Sequence, residues 1–191
     1  MTDIDYYFRH NWKPDYDKFD LTGWKLLDKI DKNAHILDIG CGYNLFKEHF
    51  PNLYGIDPYN DKADEEIKFE DYQPHKNFDV FLALGSLNFG DEKTVDNQIK
   101  HLYNITKKND IIIWRQNPGL GDHPWQGVDE IKFFPWSKDY NEHFCSKYNF
   151  ELKTFMKDKG DRYYVEWSRT LCSSSIWYHC VCNDILLFKR I

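Results

Sequence analysis

The run Phe78-Asp79-Val80-Phe81-Leu82-Ala83-Leu84 is apolar at every position but Asp79. A strand apolar on both faces must be covered on both, as in a parallel sheet sandwiched between helices. Two shorter runs precede it, Ala34 to Ile39 and Leu53 to Ile56, and Asp110 to Trp114 follows. Between these runs the apolar period changes. Phe19, Trp24, Leu26, Leu27 and Ile30 occupy about half of a helical circumference, which predicts a helix from Lys18 to Ile30. Leu45, Phe46 and Phe50 recur at near-helical spacing, and Val95, Ile99, Leu102 and Tyr103 share one face within Glu92 to Lys107. Tyr140, Phe144 and Tyr148 follow at i, i+4 and i+8 behind Ser137, a natural N-cap. Ile67 to Glu70 predicts a brief third strand. Phe150 to Lys157 and Arg162 to Trp167 predict a hairpin through Lys159-Gly160-Asp161. Strands alternating with helices imply a three-layer α/β/α sandwich with right-handed crossovers. Counted along the chain, the expectation is a mostly parallel seven-stranded sheet ending in an antiparallel hairpin.

A chain of 191 residues fits one domain. The expected division is an aromatic cap or lid over residues 1–17, a core over 18–168 and a C-terminal extension over 169–191, whose runs Ile176 to Val181 and Ile185 to Phe188 are placed only loosely. The formal charge is −6, and no run of Lys or Arg forms a stripe that would neutralise a phosphate backbone, so nucleic acid is disfavoured as a partner. No stretch approaches the roughly 18 apolar residues that span a bilayer. The acidic opening Met1-Thr2-Asp3-Ile4-Asp5 does not resemble a secretory signal, and a cytoplasmic location is expected. Thiols are then the expected state of Cys41, Cys145, Cys172, Cys180 and Cys182. Cys180 and Cys182 share a strand face near His179 and Cys172, which permits a metal reading, but a C-x-C pair without a second pair falls short of zinc-site spacing. Buried structural cysteine is favoured.

The first apolar run delivers Asp38-Ile39-Gly40-Cys41-Gly42 into a turn before a helical segment. Glycines there tolerate tight-turn dihedrals and let a ligand approach the backbone, and the unpaired N–H groups beyond offer donors. The dinucleotide fingerprint needs a third glycine where this chain has Leu45, and no Gly-Lys-Ser/Thr follows for a phosphate loop. Asp57 ends the next apolar run, where its carboxylate can accept both hydrogen bonds of a ribose diol.

On these residues the chain resembles the class I, Rossmann-like S-adenosylmethionine-dependent methyltransferases. Asp38 to Gly42 is similar to that family's first motif, Leu53-Tyr54-Gly55-Ile56-Asp57 to its second strand, and Phe78 to Gly85 to its fourth. The resemblance covers residues 20–168 in element order. It implies S-adenosylmethionine as cofactor, yielding S-adenosylhomocysteine, with Asp38 orienting the turn, Gly40 and Gly42 bordering the methionine moiety, and Asp57 holding the ribose. Pro58 and Tyr59 would sit beside the adenine, Tyr59 stacking on it, and an acid within Glu70-Asp71-Tyr72 would meet the adenine amino group. Cys41, Tyr43, Asp71, Tyr72, Leu84 and Gly85 complete the implied cofactor set. Amino-methylating DNA enzymes carry an Asp-Pro-Pro-Tyr motif after the fourth strand; here Asp57-Pro58-Tyr59 follows the second, and Gly85-Ser86-Leu87-Asn88-Phe89 stands in that place.

Methyl transfer depends chiefly on alignment, and a general base is needed only for an acceptor protonated at neutral pH. Asp122 and His123, in the Gly/Pro-rich segment 117–127, are the candidate bases, although a structural role is the favoured reading of a histidine beside Pro124. Asn88, Arg115, Trp125, Tyr7 and Trp12 are the candidate substrate-binding residues. The expected activity is methyl transfer to an O or N atom of a small molecule or protein side chain. Cleavage of S-adenosylmethionine on the same fold, or a non-catalytic binding module, are the alternatives.

Overall fold

The computed structural model describes residues 3–120 and 133–171. Six strands form one sheet in the order β2-β1-β3-β4-β6-β5. Strands β1 (Ile36–Ile39), β2 (Leu53–Ile56), β3 (Val80–Leu84) and β4 (Ile111–Gln116) run parallel. β5 (Phe150–Asp158) and β6 (Arg162–Arg169) form the antiparallel hairpin, with β6 antiparallel to β4. The reading of the four apolar runs and the hairpin holds, because continuous apolar segments have no stable alternative to a sheet covered on both sides.

One face is covered by helix α2 (Glu92–Ile105), which buries Val95, Ile99 and Leu102, and by α3 (Lys138–Lys147), which buries Phe144. Ser137 Oγ accepts from Tyr140 N at 3.2 Å, as the sequence implies, and Asp91 Oδ1 caps the other helix by accepting from Thr94 N at 2.8 Å. Such caps satisfy N–H groups that the helix itself cannot. The segment α1 (Asp3–Tyr6) continues as a π-helical turn, Tyr7–Asn11, ahead of the sheet.

The opposite face departs from the expected helices. In place of a helix over Lys18 to Ile30 there is one 3₁₀ turn, Trp24–Asp28, which still buries Leu26 against the sheet. Two causes are visible. The amides of Asp20, Leu21 and Thr22 donate to the carboxylate of Asp158, on β5, and so are withheld from a helical ladder. A Cβ at Gly23 would stand 2.0 Å from the Tyr16 carbonyl oxygen, so the chain doubles back tightly there. The predicted helix after the glycine turn is likewise a single 3₁₀ turn, Leu45–Glu48, which buries Phe46, with Phe50 buried just beyond it.

The expected third strand is also absent, which reduces the described sheet to six strands. Phe69–Asp71 is a 3₁₀ turn. The outer edge of β2 is instead covered by the acidic loop that follows it: Asp64 Oδ2 accepts from Gly55 N at 2.8 Å, Asp64 N donates to Gly55 O at 2.8 Å, and Ile56 makes a single parallel bridge to Glu65. A side chain thus takes a hydrogen-bonding position that a seventh strand would fill, and covering an exposed edge guards against pairing between chains. Cys41 and Cys145 are buried free thiols, whereas Cys172, Cys180, Cys182 and the expected strand from Ile176 lie outside the described residues.

Candidate functional site

A cavity of about 690 Å³ opens at the carboxyl ends of β1, β2, β3 and β4. That is the position open α/β sheets reserve for ligands, and the volume lies in the usual range for small-molecule sites. At its floor the turn after β1 places Gly40 at φ +70° and Gly42 at φ +55°, where any side chain would be strained. There is no room for one either. A Cβ at Gly40 would stand 2.5 Å from Ser86 Cβ, and one at Gly42 would stand 2.5 Å from the Trp12 ring. Gly40 N and Cys41 N both donate to Ile56 O, at 2.8 and 3.0 Å, which ties the turn to the end of β2.

Asp57 completes that link. Its Oδ2 accepts from Gly42 N at 3.0 Å and its Oδ1 from Tyr59 N at 2.8 Å. The Asn60 amide also donates to the carboxylate, and since an ionised carboxylate offers about four acceptor positions, capacity for a ligand remains. Burial pushes the Asp57 carboxyl up, opposed by these backbone donors. Asp38 lies beneath the turn, almost fully buried, and does not line the cavity. Burial first, and then the charge of Asp57, raise its carboxyl to about 7, with Arg115 pulling the other way.

An acid whose folded pKa is raised contributes stability at low pH that is lost as pH climbs from its ordinary value, 3.8, through about 7. The chain is therefore expected to melt at higher temperature at pH 5 than at pH 8 from this group. Asp38→Asn should remove that slope and raise the pH 8 melting temperature by about 4–8 °C, corresponding to roughly 2 kcal/mol. Differential scanning fluorimetry of both proteins across pH 5–8 measures it, and a variant that keeps the wild-type slope contradicts it.

Beyond Asp57 the cavity wall is formed by Ile67, Phe69 and Glu70 and by Thr94 and Gln98, one turn apart on α2. Gln98 Nε2 donates to Glu70 Oε1 at 2.6 Å, while Gln98 Oε1 is buried without a partner among the described residues. Between the two acids, Glu70 lines the cavity and Asp71 does not. Asp71 N instead closes the 3₁₀ turn onto Lys68 O, and Tyr72 packs against Tyr54. Sequence reading missed Gln98, whose signal was its i+4 spacing from Thr94 on the polar side of a well-defined helix.

The N-terminal segment lies over this end. Phe8 stacks on Tyr59 with ring centres 5.5 Å apart, and Trp12 stacks on Tyr43 at 6.2 Å. Arg9 donates to Pro58 O at 3.3 Å and pairs with Glu66. Phe8, Trp12, Pro58 and Tyr59 line the cavity; Tyr7, which is buried, and Tyr43, which stacks on Trp12, do not. One face of Tyr59 is thus taken by Phe8. Cys41 is also withdrawn, its sulfur lying 2.8 Å from where a Cβ of Gly55 would be.

At the other end stand Leu84, Gly85, Asn88 and Arg115. Asn88 is a brace: its Nδ2 donates to Arg115 O at 3.0 Å and its Oδ1 accepts from Asn117 N at 3.1 Å. Asp122, His123 and Trp125 lie outside the described residues.

No family model and no curated protein matches the sequence. The fold does match solved structures. A candidate S-adenosylmethionine-dependent methyltransferase from Listeria monocytogenes is 15% identical, with a TM-score of 0.61 over 78% of this chain and 98% of that one. Magnesium protoporphyrin IX methyltransferase from Synechocystis, with S-adenosylmethionine bound, is 11% identical, with a TM-score of 0.59 over 87% and 95%. The 1,6-didemethyltoxoflavin-N1-methyltransferase of Burkholderia thailandensis, bound to 1,6-didemethyltoxoflavin and S-adenosylhomocysteine, is 12% identical, with a TM-score of 0.58 over 72% of each chain. This chain has the Rossmann-like fold of the class I S-adenosylmethionine-dependent methyltransferases, with six strands described. Among the described residues, no helix is long and apolar enough to cross a membrane.

Proposed function

We propose that this chain is an S-adenosylmethionine-dependent methyltransferase acting on an O or N atom of a small molecule or protein side chain. The observation that carries the reading is Asp57: one buried carboxylate joined to the Gly42 amide at 3.0 Å, at the carboxyl ends of two adjacent parallel strands. The residues fit the cofactor. Asp57 has acceptor capacity left toward a ribose hydroxyl, and the side-chain-free turn lets a ligand reach the backbone at Gly40 and Gly42. Ile67 and Phe69 offer apolar contact for adenine, and Glu70 with the orphaned Gln98 Oε1 offers acceptors for its amino group.

Bound S-adenosylmethionine supplies an electrophilic methyl group. The protein's part is to align the acceptor and to keep water away, and Phe8 and Trp12 lying over the cavity serve the second purpose. Asp122 and His123 remain the proposed general bases for an acceptor that is protonated at neutral pH.

Titration calorimetry of the purified chain with S-adenosylhomocysteine is expected to show saturable one-to-one binding. Absence of binding by both S-adenosylhomocysteine and S-adenosylmethionine overturns the proposal. Incubation with labelled cofactor and a metabolite extract should then yield S-adenosylhomocysteine; methylthioadenosine would mark cleavage instead.

A further inference from the structure

Arg115 stands at the carboxyl end of β4, 8% exposed. A guanidinium withdrawn from water is costly unless it is paired. Among the described residues no carboxylate lies within salt-bridge distance of it. Nη1 donates to Thr22 O at 3.3 Å and Nη2 to Leu84 O, which leaves most of its five N–H groups without a protein acceptor among the described residues. The nearby acid Asp158 is already engaged by the amides of residues 20–22 and by Thr22 Oγ1. Burial lowers the Arg115 pKa to about 10, so the group stays charged at neutral pH.

Its position is fixed. The guanidinium carbon lies 4.0 Å from the centre of the Phe19 ring, and the two carbonyl bonds hold the fork in place. Space beside it is kept open by Gly85, where a Cβ would come 3.4 Å from Nη2. Asp57 and Glu70 line the cavity on the side of β2, away from Arg115 at the end of β4.

We propose that the acceptor carries a carboxylate and that Arg115 grips it through its fork, setting the acceptor's orientation at the Gly85 end of the cavity. A rigid, planar, pre-oriented guanidinium matches a carboxylate bidentately, which an ammonium does not. The inference rests on the methyltransferase reading and deepens it by naming the substrate class.

The test uses the full chain saturated with S-adenosylhomocysteine, titrated with benzoate and hexanoate against their neutral amides, benzamide and hexanamide. At least one carboxylate is expected to bind tenfold or more tightly than its amide. Arg115→Lys, which keeps charge and a donor for the Leu84 carbonyl, should reduce that preference to within twofold while S-adenosylhomocysteine affinity stays within threefold. Equal binding of acid and amide by the wild-type protein overturns the proposal without reliance on any variant. So does a tenfold loss of S-adenosylhomocysteine affinity in Arg115→Lys with carboxylate binding unchanged, because Arg115 would then serve the cofactor's own carboxylate. Failure of the wild-type chain to bind S-adenosylhomocysteine at all is a separate result, and it removes the methyltransferase reading itself.

Discussion

Asp158→Ala is expected to lower the melting temperature by about 6–12 °C, corresponding to roughly 3 kcal/mol at 2–4 °C per kcal/mol for a chain of this size. The carboxylate accepts from the amides of Asp20, Leu21, Thr22 and Lys159 and from Thr22 Oγ1, at 2.6–2.9 Å. Truncation leaves several of these donors buried and unpaired, at about 1–3 kcal/mol each before relaxation. Burial pulls the Asp158 carboxyl up, but the hydrogen bonds from Thr22, Leu21, Asp20 and Lys159 outweigh it and hold the group below its ordinary value. A lowered folded pKa contributes stability above the unfolded value, 3.8, that is lost as pH falls through the folded one. Below about pH 4 the wild-type protein should therefore lose stability that Asp158→Asn never had, and thermal melts at pH 3 and pH 7 test this. The damage should also reach the cavity, because Thr22 O holds Arg115 and Phe19 underlies it. A variant that melts within 2 °C of wild type at pH 7 would show that residues 20–22 are held by something else.

Asp57→Ala should weaken binding of S-adenosylhomocysteine by 100-fold or more, equivalent to about 3 kcal/mol, in the range for truncating one partner of a buried charged hydrogen bond. Two losses combine: the acceptor for the ribose diol, and the anchor that holds Gly42 N and Tyr59 N in position. Asp57→Asn separates function from folding. It keeps the shape and removes a charge that burial disfavours, but sets an amide donor against one of the two backbone donors, so at pH 8 the apo protein should melt closer to wild type than Asp57→Ala does while cofactor affinity still falls at least tenfold. Calorimetry and melting curves on the same samples give both readouts. Binding by Asp57→Ala within threefold of wild type would remove Asp57 from the cofactor site.

The parts of this fold that were legible share a property: their signal is local. Val80 to Leu84 is apolar at every position, so only a fully covered strand accommodates it. Val95, Ile99 and Leu102 repeat at helical spacing, and the core face can be read without knowledge of the partner. The turn at Gly40 and Gly42 was equally legible, because residues that tolerate positive φ are few and their placement directly after a strand is informative. Asp57 followed from its place at the end of the next strand.

The misreadings share the opposite property. Apolar residues at helical spacing from Phe19 to Ile30 do pack on the sheet, yet no helix forms, because a carboxylate far along the chain takes the amides of residues 20–22. Ile67 to Glu70 had strand-like residues, but Asp64 already occupies the edge of β2. Periodicity reports which side of a segment is buried and says nothing about a distant competitor for its backbone.

For this protein the sequence by itself determined the parallel strands, the glycine turn and the acid at the end of β2, since strand burial and positive φ are dictated by the residues that carry them. Tertiary structure alone decided that Glu70 and Gln98 rather than Asp71 line the cavity, that Phe8 covers Tyr59, and that Arg115 stands buried on Phe19 without a carboxylate beside it among the described residues. Those facts depend on segments brought together from across the chain, where close packing and the pairing of every buried polar group select one arrangement from many that local pattern allows.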